Sequence, residues 1–399
     1  LISDQASGIA IAINGTSSAS HGVVFNYDSP KEVLATGGGD IVITGTGAGV
    51  DYGIFLQNQD ILATAGAIIL NGGSKGIYAA NAGMNLGRKV GSAITISSSD
   101  ISFISDSFSF ANTSNLNTSG KVTIESNATS FTSALTFPVT NLTLSDDVSG
   151  LTLGKSTNTA NITFSNATTI SGPIAVYGGN IAVNENLNTT AGAANGDILL
   201  KTTDNVTIAT TKSITTAGGD VTLWANSDAA GSGYVQALIN SSITTGGGAI
   251  TMGGGADPLT AFAKGVGIDG DNTTLDKDTA PTGSLGIGGV HFRAGVSLNS
   301  GGGDITLNGE NSGNAENVIA TGVYLNDAAI DSGNGKIAIN GKATGTGGSN
   351  AQAITAPSAT LTSSNTAADA IVLVGDASGV NSNVTTLGVN FSGTILTPV

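Results

Sequence analysis

The fold is decided by a stretch that reads Gly301-Gly302-Gly303-Asp304-Ile305-Thr306-Leu307-Asn308-Gly309. A glycine-rich turn precedes two apolar residues that flank one threonine, and a polar turn closes the unit. Successive side chains of a strand point to opposite faces, so Ile305 and Leu307 share a face. Glycine adopts the positive φ of tight corners, and Asn or Asp can bond to nearby backbone there. The stretch therefore predicts a short strand, buried on one side, between two sharp corners.

The same unit recurs along the chain, and a second unit accompanies it. Further copies of the first unit are Gly39-Asp40-Ile41-Val42-Ile43, Gly120-Lys121-Val122-Thr123-Ile124, Gly179-Asn180-Ile181-Ala182-Val183, Gly196-Asp197-Ile198-Leu199-Leu200, Gly219-Asp220-Val221-Thr222-Leu223 and Gly335-Lys336-Ile337-Ala338-Ile339. The second unit, GVxF, occurs as Gly22-Val23-Val24-Phe25, Gly53-Ile54-Phe55-Leu56, Gly289-Val290-His291-Phe292, Gly322-Val323-Tyr324-Leu325 and Gly388-Val389-Asn390-Phe391. Its copies are 31 residues apart from Gly22 to Gly53, and 33 from Gly289 to Gly322. Repeats of this length are typical of solenoids.

Shorter spacings mark the middle of the chain. Val122, Leu142, Ile162 and Ile181 each open an apolar-x-apolar triplet, and the spacings between them are 20, 20 and 19 residues. Six of the eleven phenylalanines also lie there: Phe103, Phe108, Phe110, Phe131, Phe137 and Phe164. These spacings predict coils of about 20 residues over 100–190.

Parallel pairing between successive coils accounts for both repeats. Each coil can bury its inward apolar residues only against the coils above and below it. The predicted inward residues are Ile41, Ile43, Val122, Ile124, Leu142, Leu144, Ile162, Phe164, Ile305 and Leu307. The predicted outward threonines are Thr123, Thr143, Thr163, Thr222 and Thr306. Glycine interrupts every candidate helix and a 3.6-residue period is missing, so the pattern indicates an all-β chain.

Composition and charge exclude several classes of protein. Charged residues are only 10% of the chain, the net charge is −15, and the two arginines are Arg88 and Arg293. A nucleic-acid-binding protein needs a basic surface, and an anionic membrane would repel this chain. Apolar runs stay shorter than the roughly 18 residues of a membrane span. With no cysteine, the chain must be stabilised by stacking and not by disulfides.

Two phrases resemble filamentous-haemagglutinin-like large bacterial exoproteins and the long repetitive cell-surface adhesins of Bacteroidota-type bacteria. They are GGGDITLNG at 301–309 and GGDVTLWANSD at 218–228. Similar phrasing occupies 36–47, 196–228, 243–258 and 299–311. The resemblance implies a right-handed β-helix, export to the extracellular space or bacterial cell surface, and adhesive or matrix roles. Host or cell-surface glycans are candidate partners for such roles.

We therefore predict an all-β, right-handed parallel β-helix (β-solenoid) with about three short strands per coil. A single solenoid is expected over residues 1–399. Its predicted sub-regions are 1–99 with glycine-rich longer coils, 100–190 with Ser/Thr/Phe-rich coils of about 20 residues, and 191–399 with longer coils. An acidic insertion near 269–278 is expected in the last of these.

Few residues suggest catalysis or a metal site. His21 and His291 have no catalytic or metal-binding motif around them. Asp146-Asp147 is the adjacent acidic pair that a polysaccharide-cleaving β-helix would need, but no basic motif accompanies it. No catalytic residues and no organic cofactor are therefore predicted. Asp269, Asp271 and Asp276 could supply oxygens to Ca²⁺, although the spacing does not match an EF-hand and a solvated loop is the alternative.

Surface modification and sugar stacking have weaker support. The chain contains 13 Asn-x-Ser/Thr sequons, not many more than chance would give in a chain this rich in Asn, Ser and Thr. The glycosylation candidates among them are Asn112, Asn127, Asn141, Asn161 and Asn188. Trp224 and the tyrosines Tyr52, Tyr78, Tyr177, Tyr234 and Tyr324 could stack on sugars, but they are scattered, so packing at the core or corners is expected.

The sequence favours a non-enzymatic extracellular structural or adhesive rod. The alternatives are a carbohydrate-active β-helix enzyme, which needs a groove with several carboxylates, and an ice- or surface-binding protein, which needs a flat Thr-rich face. Both ends resemble internal coils, so we expect the chain to pair with itself head to tail. The residues expected at the two assembling ends are Ile9, Ile11 and Ile13, and Phe391, Ile395 and Leu396.

Overall fold

Stacked parallel strands form almost the whole of the computed structural model. It describes residues 1–25, 31–35, 37–88, 96–265, 284–285, 288–311, 318–344, 351–378 and 386–398. The chain forms two units, Leu1–Gly178 and Gly179–Val399. Both consist of three faces of parallel strands, which confirms the predicted parallel β-helix. No helix in these ranges is long and apolar enough to cross a bilayer.

The first unit contains 18 strands. They are β1 (Ile2–Ser3), β2 (Ile9–Thr16), β3 (Val23–Phe25), β4 (Lys31–Ala35), β5 (Asp40–Thr46), β6 (Ile54–Ala63), β7 (Ile68–Gly73), β8 (Ile77–Leu86), β9 (Ile101–Ser105), β10 (Phe108–Phe110), β11 (Ser114–Leu116), β12 (Lys121–Glu125), β13 (Leu135–Phe137), β14 (Leu142–Leu144), β15 (Gly150–Leu153), β16 (Ile162–Phe164), β17 (Thr168–Ile170) and β18 (Ile174–Gly178). Face 1 is β2-β5-β7-β9-β12-β15-β18. Face 2 begins with β3, the first halves of β6 and β8, and β10. Face 3 is β1, β4, the second halves of β6 and β8, β11 and β14.

The second unit repeats this arrangement. Its elements are β19 (Ile181–Val183), β20 (Leu187–Thr189), a 3-10 turn (Ala193–Gly196), β21 (Ile198–Thr202), β22 (Val206–Ile208), β23 (Ser213–Thr215), β24 (Val221–Trp224), β25 (Val235–Ala237), β26 (Ser242–Thr244), β27 (Ile250–Gly253), β28 (Ala263–Gly265), β29 (Ser284–Leu285), β30 (Val290–Phe292), β31 (Ser297–Asn299), β32 (Ile305–Asn311), β33 (Val318–Leu325), β34 (Ala329–Asp331), β35 (Ile337–Ala343), β36 (Ala351–Thr362), β37 (Ile371–Asp376) and β38 (Thr386–Leu396). Face 1 is β21-β24-β27-β32-β35-β37. Face 2 is β19-β22-β25-β30-β33 with the first halves of β36 and β38. Face 3 is β20-β23-β26-β31-β34 with their second halves.

The predicted core is confirmed with one exception. Nine of the ten predicted inward residues are buried: Ile41, Ile43, Val122, Ile124, Leu142, Ile162, Phe164, Ile305 and Leu307. Leu144 is only half-buried. It lies in β14, the last strand of its sheet, so a further coil does not cover it on one side.

The predicted coils of about 20 residues over 100–190 are wrong. Val122 pairs with Leu151 on face 1, whereas Leu142 pairs with Ser114 on face 3. Ile162 pairs with Leu135 on face 2. An apolar-x-apolar triplet fits any of the three faces, so its spacing along the chain does not show which strands are equivalent.

The outward threonines form only a short row. Thr222, Thr251 and Thr306 stand opposite one another on successive face 1 strands. Leu199 precedes this row and Ala338 follows it. Because apolar residues interrupt the row, the predicted threonines make no long hydroxyl ladder on face 1 of the second unit.

Aspartates at the start of face 1 strands join one coil to the next. Asp304 Oδ1 accepts a hydrogen bond from the backbone N–H of Lys336, the equivalent residue one coil further on, at 2.8 Å. Asp40, Asp100, Asp197 and Asp220 do the same for Ala67, Lys121, Asp220 and Ala249. A carboxylate that accepts from a backbone N–H makes a stronger bond than a neutral acceptor. The recurrent Gly-Asp pair therefore has a structural role.

Buried hydroxyls hold the turns that precede face 1 in the second unit. Thr216 Oγ1 donates to the Thr245 carbonyl and Thr245 Oγ1 to the Ser300 carbonyl, both at 3.0 Å. Ser300 Oγ donates to the Ser332 carbonyl at 3.1 Å. Because buried polar atoms must find partners, this row explains why Ser or Thr precedes each glycine-rich turn.

Two rows of glycine meet where face 1 leads into face 2. A Cβ on Gly45 would collide with the carbonyl of Gly53, and a Cβ on Gly341 with that of Ala353. The same collision would occur at Gly15 with Gly22, Gly309 with Gly322 and Gly375 with Gly388. The obstacle is backbone, so it cannot turn aside as a side chain could. The glycines of both repeated units are therefore required by close backbone contact.

Replacing Gly341 with Ala is expected to lower the free energy of unfolding by about 1–3 kcal/mol, the usual cost of overpacking. Gly192→Ala is the control, since Gly192 has an extended backbone and the nearest atom to its Cβ would be 3.4 Å away. Denaturant unfolding should show a lower midpoint for Gly341→Ala and an unchanged or slightly higher one for Gly192→Ala. Equal midpoints for the two variants would contradict the close-contact explanation.

Candidate functional site

Face 2 of the first unit is interrupted between β10 and β13. Both strands occupy the same place in their coils, because each follows a face 1 strand and precedes a face 3 strand. Within the described residues, β10 pairs only with β8 and β13 only with β16. The hydrogen-bonded ladder of face 2 therefore stops at β10 and resumes at β13.

A groove of about 330 Å³ lies at this interruption. Its lining includes Asp106, Phe108, Phe131, Leu135, Thr136 and Thr140. Two phenylalanines bridge the gap, because Phe108 of β10 meets Phe131 edge to face with 6.5 Å between ring centres. Hydroxyl groups and one carboxylate surround this apolar pair. We call this recess the β10–β13 groove.

Two buried polar side chains fix the loop that closes the groove. Asp106 Oδ1 accepts a hydrogen bond from the Asn127 N–H at 2.9 Å. Asn158 Oδ1 accepts from the Phe131 N–H at 3.1 Å and from Ser130 Oγ at 2.8 Å. Asp106 is 8% exposed and Asn158 is 2% exposed, so water competes little for these bonds. The loop is therefore held at both ends.

The backbone on both sides of the groove points into the gap. Ile77 N–H donates to the Ser107 carbonyl and Ala111 N–H to the Ala79 carbonyl. In a parallel ladder alternate residues bond to opposite neighbours, so Phe108 and Phe110 direct their N–H and C=O groups away from β8. The Phe110 carbonyl accepts a hydrogen bond from Asn141 Nδ2 at 2.6 Å.

The same alternation applies to β13. Leu135 N–H donates to the Asn161 carbonyl, and the Phe137 carbonyl accepts from Ser165 N–H. Leu135 and Phe137 therefore face β16, and Thr136 between them directs its N–H and C=O toward the groove. Sequence analysis did not identify this site. The cluster of phenylalanines at 103–164 was the available signal, but the missing pairing depends on the tertiary structure.

The structure gathers four rings that the sequence left scattered. Tyr52 and Tyr78 stack with ring centres 4.7 Å apart and planes 9° apart. His21 stacks on Tyr52, and Phe55 lies against both His21 and Tyr78. His21 Nδ1 accepts a hydrogen bond from the Tyr52 N–H at 2.9 Å, while Nε2 is 3.5 Å from Asp51 Oδ1. Because the rings cover one another's faces, this cluster acts as a packing element between coils.

His291 lies buried in the second unit, in a row with Gln236 and Tyr324. Its ring centre is 4.9 Å from that of Tyr324, and Nδ1 accepts a hydrogen bond from the Gly288 N–H at 3.2 Å. Burial lowers the pKa of His291 to about 3, and the nearby positive charge of Arg293 lowers it further. The imidazole is therefore neutral at physiological pH.

The other predicted site residues do not come together. Asp146 and Asp147 are exposed on a turn, while Asp269, Asp271 and Asp276 lie outside the described residues. Within the described ranges, no group of three His, Asp or Glu side chains could hold a metal ion. Trp224 is covered by Lys201, whose Nζ is 3.8 Å from the ring centre, and its Nε1 donates to the Gly255 carbonyl.

The glycosylation candidates differ in accessibility. Asn112, Asn127, Asn141 and Asn161 are exposed, and Asn188 is half-buried in β20. The Asn141 amide already donates to the Phe110 carbonyl, so a glycan on this nitrogen would disturb the edge of the groove. Modification of the five asparagines remains a prediction.

The predicted assembling ends present apolar side chains. Ile9 is 55% exposed, Ile395 48% and Leu396 50%, while Ile13 and Phe391 are half-buried. Ile11 is only 9% exposed because it packs inward in β2. Within the described residues, β2 pairs only with β5, and β37 only with β35.

Comparison of the chain with protein-family models, with curated proteins and with solved structures gives no match.

Acid should destabilise the second unit through His291. The folded pKa lies below the unfolded value near 6.5, so the unfolded chain binds a proton that the folded chain does not. The free energy of unfolding therefore falls as the pH drops from 6.5 toward 3, by about 2 kcal/mol at pH 5. His291→Gln should lose less stability than wild type between pH 7.5 and pH 5 in denaturant unfolding. Tyr324→Phe, the control, should lose as much as wild type, and equal losses for all three proteins would contradict this explanation.

Proposed function

We propose that the chain is a non-enzymatic extracellular structural and adhesive protein of a bacterial surface, whose end coils stack head to tail into a filament or matrix fibre. The observation that carries this proposal is the match between the open edges of β2 and β37. The resemblance of 218–228 and 301–309 to large exoproteins and repetitive adhesins supports the same role.

The two open edges have the same order of residues. At one end Ile11, Ile13 and Gly15 pair with Ile41, Ile43 and Gly45. At the other end Ile337, Ile339 and Gly341 pair with Ile371, Leu373 and Gly375. Each edge thus reads apolar-x-apolar-x-Gly, so β2 of one copy can pair with β37 of another in the register used inside the chain. This contact is heterologous and repeats without closing, which gives a fibre.

β1 sets a condition on this stacking. It pairs with the edge of β4 that faces an approaching copy. If β37 of that copy pairs with β2, its face 3 segment Thr394–Leu396 must pair with the same edge of β4. One strand edge takes one neighbour, so β1 has to be displaced. β1 has only two residues, and Ile2 is 72% exposed, so its displacement loses little buried area.

Lysine at either end should block stacking by placing a charge in an apolar contact. Ile9→Lys and Ile395→Lys should each be monomeric in analytical ultracentrifugation, where the wild type forms long polymers. Mixing the two variants should give dimers that grow no further, because each variant retains one functional end. Deleting Leu1–Ser3 should strengthen polymerisation by freeing the edge of β4.

Val50→Lys is the matched control, since Val50 is 99% exposed in a corner between β5 and β6. It should polymerise like the wild type. A wild-type chain that stays monomeric at high concentration would refute head-to-tail stacking, as would polymers that both end variants form unchanged.

Two other functions were considered. A carbohydrate-active enzyme needs an acid and a base together, but the histidines lie in separate units and Asp146-Asp147 is on an exposed turn. An ice-binding surface needs a long regular Thr face, and the row through Thr222, Thr251 and Thr306 is flanked by Leu199 and Ala338. These observations favour the structural and adhesive role.

Incubation of the chain with pectin, alginate or peptidoglycan is expected to release no products detectable by chromatography. Substrate cleavage that disappears in Asp146→Asn or Asp147→Asn would instead establish an enzyme. Asp228→Asn serves as the control, because Asp228 is an exposed acidic residue in the other unit.

A further inference from the structure

We propose that the β10–β13 groove is a docking site for an extended, uncharged polypeptide segment, which inserts as a strand between β10 and β13. This contact is separate from the end stacking and lies wholly within the first unit. The partner is defined by its chemistry: a short stretch of alternating apolar and small polar residues.

Main-chain groups on both sides of the gap favour a peptide. Phe108 on one side and Thr136 on the other direct N–H and C=O groups into the interruption of the ladder. A strand carries donors and acceptors on both of its edges, so one inserted segment can bond to β10 and β13 together. Sheet edges that recruit an extended peptide gain affinity from these main-chain bonds.

The length of the site matches a short segment. β10 and β13 have three residues each, and each is paired along its full length on its other side. An inserted segment of about three residues, advancing about 3.3 Å per residue, would match them. Longer segments would extend past the groove at both ends.

The side chains of the groove select the kind of residue. Phe108 and Phe131 provide an apolar contact for alternate residues of the segment, while Thr136 is exposed on the outward side. The carboxylate of Asp106 lines the same recess, and the whole chain carries a net charge of −15. An acidic segment would therefore be repelled. The sequence that fits has the same character as the other face 2 strands.

The groove is also prepared for binding. Asp106 and Asn158 hold the loop at Asn127 and Phe131 through buried hydrogen bonds. A loop that is already ordered loses little further entropy when a segment binds.

The test uses a labelled, end-capped peptide with the sequence of residues 160–166, which contains β16, the natural neighbour of β13. Fluorescence anisotropy should show saturable binding to the whole 399-residue chain. Thr136→Pro removes the N–H that points into the groove and should weaken binding at least tenfold. Thr136→Ala keeps that N–H and should bind within about twofold of wild type, well short of the tenfold step that one lost contact of about 1.4 kcal/mol gives.

Ile395→Lys, which changes only the end coil, should bind the peptide like the wild type, whether or not stacking occurs. The second arm needs no variant of the groove: peptides N-methylated at either of two adjacent central residues should both bind less tightly, because an inserted strand bonds on both edges. Circular dichroism and thermal melting check that Thr136→Pro is folded.

Three results would overturn the proposal. The first is absence of peptide binding at millimolar concentration. The second is equal binding of the N-methylated and unmodified peptides, or of a folded Thr136→Pro and the wild type. The third is binding of a neutral oligosaccharide in the groove that displaces the peptide and is insensitive to Thr136→Pro, which would indicate a glycan site.

Discussion

Burial of one coil by the next is the interaction on which this structure depends. Each coil offers a few inward side chains, such as Ile305 and Leu307, which cannot form a core within a single coil. Parallel pairing brings the next coil close enough to cover them, as Ile337 and Ile339 do. An apolar core this thin has little tolerance for misplaced polar atoms, so the corners need their own bonds.

Polar ladders meet this need at the corners. Asp304 accepts from the backbone of the following coil, and Thr245 and Ser300 donate to carbonyls of the turns that they precede and to those of the next coil. The close meeting of Gly341 with the backbone at Ala353 leaves no room for a side chain. The composition of the chain, rich in Gly, Ser, Thr, Asn and Asp, follows from these requirements more than from its surface.

The same dependence on neighbours explains where partners could bind. Wherever a coil lacks a neighbour, strand edges and apolar side chains are left open. This happens at β2 and β37, whose outer edges have no partner in the described residues, and at the gap between β10 and β13. Both proposed contacts therefore use the interaction that builds the fold, with another polypeptide in place of the missing coil.

The sequence alone determined the fold class and most of the core, because apolar alternation between glycine corners is a local property. It also determined that Ile9 and Ile395 are exposed apolar residues near open edges. It could not determine which face a triplet occupies, since Val122, Leu142 and Ile162 have the same local pattern but lie on three different faces. Nor could it reveal the stack of His21, Tyr52 and Tyr78 or the β10–β13 groove. Those depend on the lengths of the connections between strands, which decide where residues of successive coils meet and where a ladder is left unpaired.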